Sequence, residues 1–301
     1  MTQPKFTVIT TCLNRGPYIE RTICSVLDQA HESMQYIVVD RGSTDDTSQI
    51  IDLYHEELTW LTREGASRSE AINTALTRAR GQFILIVDDL LLPAALHAAE
   101  RYLERRPQTK WLVAAHQRVD LQDREVCSIS PQEPSSLGAF LMHDDGLLPL
   151  CASLYHHSLI VDHGAFDAGF THAFDYEFAC RLLAAGEKPT ISALTLTAVR
   201  EGQPPLEAAQ TLDQGVEHVT VARRFMRHLP RDQQHALWRN CDHRQRIYAL
   251  AEAELQPVTA QQRLWQHLVQ HPWWIRDDSF RRTLVHGVTH PVPAAAQRPA
   301  A

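Results

Sequence analysis

Two adjacent carboxylates, Asp88 and Asp89, close an apolar run that begins at Phe83. On a buried strand such a pair repels itself and loses hydration unless a cation or strong donors meet it. A hard divalent ion, magnesium or manganese, is the natural partner, with substrate phosphates completing its shell. The plainer reading makes one Asp a cap for the helix near Pro93 and leaves the other in water. A third carboxylate, Asp175, opens a stretch whose Phe178, Leu182 and Leu183 form an apolar helix face. It is placed either to take a proton or to cap that helix. Glu177, two positions on, points to a different face. Two further segments are small and polar: Thr10-Thr11-Cys12-Leu13-Asn14-Arg15 and Asp40-Arg41-Gly42-Ser43-Thr44-Asp45. Asp40 could accept a hydrogen bond from a base or ribose, and Gly42 permits a tight turn. Ser43, Thr44 and Asp45 equally suit the cap of the next helix.

These residues sit at the ends of elements. Strand-like runs are expected at 6–11, 36–40, 58–62, 83–88 and 111–115, and helical stretches at 18–29, 47–55, 68–80 and 93–105. In the first helix Ile19, Ile23, Val26 and Leu27 recur on one face. Short buried strands alternating with such helices imply βαβ units, hence an α/β fold with a mainly parallel sheet flanked by helices. Ligands of such sheets lie beyond the strands' carboxyl ends, where these polar segments fall. Residues 116–202 read as shorter strands (126–130, 150–155, 158–161, 190–193) with one clear helix, 175–185. A helical C-terminal extension is expected over 203–288, and a frayed Pro/Ala-rich tail over 289–301.

Composition narrows the classes. The chain has 301 residues with a net charge of −7, and residues 201–301 hold 12 Arg, no Lys and 10 acids. Residues 1–200 therefore carry −9, a poor nucleic-acid binder, since phosphate neutralisation needs clustered cations. The six cysteines form no CxxC pair and the 17 histidines no HExxH spacing, so neither a zinc ribbon nor a disulfide framework is suggested. No leader or membrane-length apolar run is visible, and the cytoplasm is the expected location. The Arg-rich helices, with Trp273 and Trp274 nearby, suit a solvated face, a homo-oligomer contact or a peripheral membrane foothold.

Several segments together resemble family-2 glycosyltransferases of the GT-A fold. Residues 4–15 and 18–29 are similar to the family's opening, and Tyr36-Ile-Val-Val-Asp-Arg-Gly-Ser-Thr-Asp-Asp-Thr47 resembles its VVDxGSTDGT segment. Ser69-Glu-Ala-Ile-Asn-Thr-Ala-Leu76, with Ala79-Arg-Gly81, resembles S-D-A-I-N-K-G-F and A-x-G. Val87-Asp-Asp-Leu-Leu-Leu-Pro93 resembles a variant of the metal-binding DxD motif. Residues 164–167 and 173–182 are similar to G-G-F-D-E and A-x-D-Y-D-L-W-L-R-L. The resemblance spans residues 4–202, and 1–115 and 116–202 would be the nucleotide-sugar and acceptor halves of one domain.

It implies a metal-dependent, inverting transfer of a sugar from a nucleotide-diphosphate donor (UDP, dTDP or GDP type) to a glycan, lipid-linked or protein acceptor. Bacterial surface polysaccharide is the suggested setting. Thr11 and Asp40 would lie on the nucleotide, joined by Asn14, Arg41, Ser43 and Asp88. Asp89 would hold Mn²⁺ or Mg²⁺, Asp175 would be the base, and Arg200 would match an arginine on a loop that closes over the diphosphate. Two residues depart from the pattern: Arg41, where Asp, Gly or Asn is usual, and Phe174, where many members have Glu. The rival readings are a catalytically inactive sugar-nucleotide-binding homologue, a nucleotidyltransferase and a phosphoacceptor domain. The second expects a Gly- and Lys-rich loop at 10–15, and the third an acidic pair after the first strand; the sequence has neither.

Overall fold

The computed structural model of the chain describes residues 3–143, 148–201, 208–255 and 260–286. The chain divides into two units, Met1–Ser135 with Gly146–Pro204, and Ser136–Asp145 with Pro205–Ala301. In chain order the elements are β1 (Phe6–Cys12), α1 (Gly16–Leu27), β2 (Met34–Asp40), α2 (Thr47–Asp52), β3 (Thr59–Thr62), α3 (Arg68–Leu76), β4 (Phe83–Ile86), β5 (Leu90–Leu91), α4 (Ala95–Glu104), β6 (Trp111–Val119) and β7 (Glu125–Ile129). After α5 (Leu137–His143) come β8 (Ser153–His156), α6 (His157–His163), α7 (Phe174–Ala184) and β9 (Thr190–Arg200). The second unit adds α8 (Ala208–Phe225), α9 (Arg231–Leu255), α10 (Ala260–Gln270) and α11 (Asp278–His286).

One nine-stranded sheet runs β3-β2-β1-β4-β8-β6-β9-β5, with β7 on β6. From β3 to β4 the pairing is parallel, as the alternating pattern requires; β8 then runs antiparallel to both β4 and β6. Ile19, Ile23 and Val26 of α1 are buried, and α3 opens on a reciprocal Ser67–Glu70 capping box. Gly81 lets β4 enter close beside β1: a Cβ there would lie 2.3 Å from the Thr7 nitrogen. The register pairs Cys12 with Asp40 and Asp40 with Thr62, so β1, β2 and β3 finish level, while β4 ends opposite Ile9, three residues short of the end of β1.

Several element boundaries differ from the sequence reading. Residues 158–161, expected as a strand, lie in α6, because the His156 ring accepts the Ser158 N–H and starts a helix. Leu159 is buried while Val161 is 71% exposed, so the run has no sheet face. Helix α4 begins after Pro93, since Ala94 adopts a left-handed φ of 57°. Strand β9 continues to Arg200, well past 193. Residues 136–145, read with the first domain, group with the helical unit; there a Cβ on Gly138 would meet Gln233 and Leu229. Residues 289–301, expected to fray, lie outside the described residues.

Candidate active site

The carboxyl ends of β1, β2 and β4 and the last residue of β9 border a cleft of about 510 Å³. Its lining includes six of the residues expected from sequence: Thr11, Asn14, Arg41, Asp88, Asp89 and Arg200. Leu13, Arg15, Arg68 and Val199 complete it. Arg15 closes the polar segment that follows β1, and Arg68 precedes the SEAIN segment. Their pairing with acids 74 and 20 positions away is a tertiary fact with no local signature.

Behind the cleft, the loops after β1 and β2 are laced together. Asn14, at φ 51°, donates its backbone N–H to Ser43 Oγ (2.9 Å), and its Oδ1 accepts the Thr44 N–H (2.9 Å). The Arg15 and Gly16 N–H groups donate to Thr47 Oγ1 (2.7 Å) and Asp45 Oδ2 (3.0 Å). Asp40 is buried, and its Oδ1 accepts both the N–H (3.0 Å) and the hydroxyl (2.6 Å) of Ser43. Asp40 and Ser43 thus lie outside the cleft lining and brace the loop that carries Arg41. Cys12, next to Asp40, is inert: burial, then the Asp40 charge, pushes its thiol up to about 12.

Each member of the acidic pair meets arginine. Asp89, only 4% exposed, accepts the Arg200 backbone N–H on Oδ2 (3.1 Å). Its Oδ1 lies 3.4 Å from Arg200 Nη1 and 3.5 Å from Arg15 Nη2. Burial raises the Asp89 carboxyl above its usual range, and the nearby Arg15 and Arg200 groups oppose that rise. Arg200 is itself buried; its Nε donates to Asp123 Oδ1 (2.6 Å), while its Nη2 has no hydrogen-bond partner among the described residues. Arg68 pairs with Asp88 Oδ1 and lies 5.5 Å over the Phe174 ring. Burial lowers the Arg68 pKa, and the charges of Asp88 and Asp175 more than restore it.

Asp175 therefore lies on the Arg68 side of the cleft, outside the lining itself. It does not cap α7: the N-cap is Ala173, and Asp175 sits in the first turn with Oδ1 accepting the Tyr176 N–H at 2.8 Å. Glu177 is buried against Arg181, which also donates to the His163 and Ala165 carbonyls, so its role is structural.

A family model, glycosyl transferase family 2, matches residues 7–105, the segment that supplies β1 to α4. A putative teichuronic acid biosynthesis glycosyltransferase, TuaG of Bacillus subtilis, is 37% identical over 91 residues, 29% of this chain and 36% of its own length. An uncharacterized glycosyltransferase of Rickettsia prowazekii is 24% identical over 184 residues, 58% of this chain and 57% of its own length. The chain thus spans less than two thirds of either relative. Among solved structures, Staphylococcus aureus TarS 1–349 in complex with UDP-GlcNAc superposes with a TM-score of 0.65 at 17% identity, covering 93% of this chain and 90% of that one. A mannosyltransferase from Pyrobaculum calidifontis, PcManGT, in complex with GDP-Man and Mn²⁺, gives 0.55 at 18%, covering 95% and 85%. These likenesses show the GT-A fold.

Proposed function

We propose that the chain, whose residues 7–105 match the glycosyl transferase family 2 model, moves a sugar, with inversion, from a nucleotide-diphosphate donor to an acceptor hydroxyl. The observation that carries this reading is the convergence of Thr11, Arg15, Asp88, Asp89 and Arg200 on one cleft at the strands' carboxyl ends. The names of the similar proteins support a UDP- or GDP-linked donor and a glycan of the bacterial surface.

Asp175 is the proposed base, taking the acceptor proton as that oxygen attacks the anomeric carbon opposite the leaving group. It sits in the first turn of α7, with Oδ1 accepting the Tyr176 N–H. As the glycosidic bond breaks, charge grows on the leaving diphosphate. Arg15 and Arg200, both in the cleft lining, would stabilise that charge.

Asp89, with Asp88, fits a shared divalent site: two hard carboxylates side by side, with no cluster of three or more His, Cys, Asp or Glu among the described residues. Substrate phosphates and water would complete such a shell. When bound, Mn²⁺ or Mg²⁺ would act as a Lewis acid on the leaving diphosphate. Among the described residues no helix is long and apolar enough to cross a membrane. Trp274, which the sequence suggested beside Trp273, is fully buried, so the partly exposed Trp238, Trp265 and Trp273 are the groups we assign to peripheral membrane or self-association contacts.

The test is Asp175→Asn. It should lower transfer by about 100-fold or more, while thermal stabilisation by nucleoside diphosphates, with and without Mn²⁺, stays as in the parent. Surviving turnover would remove Asp175 as the base. A parent chain stabilised by no nucleotide or sugar nucleotide would remove the donor reading itself.

A further inference from the structure

The cleft holds more guanidinium than its own carboxylates use. Arg15 and Arg200 lie on Asp89 and Arg68 on Asp88, whereas Arg41 makes no ion pair among the described residues. Its chain neighbour Asp40 turns away to Ser43 and, more loosely, to Ser48. Burial works against the protonated form of Arg41, and the charges of Arg68 and Arg15 add to the effect, with the Asp40 charge opposing it. A partly buried cation among like charges gains most when an anion arrives. A neutral base or ribose would bring no such relief. The buried, unpartnered Nη2 of Arg200 is a second donor on the same cleft.

The charge balance points the same way. Four arginines against two aspartates line the cleft; Asp123 takes up part of the Arg200 charge and Asp175 part of the Arg68 charge, which leaves Arg41 as the lining cation without an ion pair among the described residues. The diphosphate of a sugar nucleotide, negative on each phosphate, matches it. Oxygen anions of this kind are what guanidinium forks recognise.

We propose that Arg41, flanked by Arg15 and Arg68, binds the donor's diphosphate directly, so that nucleotide binding survives removal of divalent metal. The proposal rests on the donor reading above. It separates two tasks: arginines hold the diphosphate in the ground state, and any ion at Asp89 acts on the leaving group.

Calorimetric titration of the full chain with UDP, GDP, uridine and guanosine, in EDTA and in Mn²⁺, tests it. The parent should bind at least one nucleoside diphosphate in EDTA within about threefold of its affinity in Mn²⁺, and more weakly as salt rises. Arg41→Gln should lose about tenfold or more under both conditions, the worth of one charge-assisted hydrogen bond. Arg41→Lys should recover part of the loss, and nucleoside binding should not change. Parent binding seen only with Mn²⁺, or an R41Q titration matching the parent, overturns the inference and leaves the donor reading standing. No binding of any nucleotide under either condition overturns both.

Discussion

Both units bury an aspartate, and they satisfy it in opposite ways. In the helical unit Asp242, on α9, accepts the indole N–H groups of Trp273 (3.0 Å) and Trp274 (2.9 Å) on one oxygen. His271 stacks on Trp274, with 4.3 Å between centroids and 8° between planes. In the sheet unit Asp89 has one backbone N–H at 3.1 Å and two guanidinium contacts at 3.4 and 3.5 Å. Indoles are neutral, directional donors, and Trp274 is anchored by its full burial. Guanidinium groups at the long end of hydrogen-bond range carry charge that an incoming ligand can recruit. Burial alone therefore does not separate a fastening carboxylate from a working one; the type of donor does.

The largest expected effect lies on the fastening side. Asp242→Ala leaves two indole N–H groups without their acceptor and should cost the helical unit about 2–4 kcal/mol, read by urea unfolding, with nucleotide affinity in the cleft unchanged. Asp89→Asn should do the reverse. Burial holds the folded pKa of Asp89 above its unfolded value, so the folded state binds the extra proton and stability falls as pH rises through that interval. At neutral pH the asparagine removes this cost, and the variant should melt no lower than the parent while losing any extra stabilisation by Mn²⁺ of the proposed nucleotide complex. A loss of stability equal to that of D242A would erase the contrast.

The smallest effect is a pH dependence. The pKa of His271 lies below 6.5, lowered by burial and then by Arg223, with Asp242 opposing. As pH drops below about 6.5 the unfolded chain takes up the proton first, so the helical unit should lose stability between about pH 6.5 and the lower folded pKa. Asp242→Ala removes the opposing charge, so its unfolding should be the more acid-sensitive of the two proteins.

What could be read in advance follows the range of the forces involved. The strand ends and the acidic pair are local patterns, and they placed Thr11, Asn14, Asp88 and Asp89 on one cleft. Arg200 was found through motif resemblance, and β9 delivers it by extending seven residues past its expected end. Arg15, Arg68 and Asp123 escaped because a charged residue in a loop or at a helix start has no periodicity of its own, and its partner is chosen only when the sheet closes. Residues 158–161 misled for a different reason: a four-residue apolar run has no period long enough to tell strand from helix. The Asp242–Trp273–Trp274 cluster joins residues about thirty positions apart and left no trace in composition.

The lacing of the loops after β1 and β2 bears on how the cleft meets a ligand over time. Its four bonds, donated by Asn14, Arg15, Gly16 and Thr44 to Ser43, Thr47, Asp45 and Asn14, tie two loops about thirty residues apart. Conformational freedom that a binding event would otherwise quench is already gone once the chain has folded. This end of the cleft is therefore a mould set before anything is poured. Adaptation to different ligands is left to the long, hinged side chains of the arginines facing it.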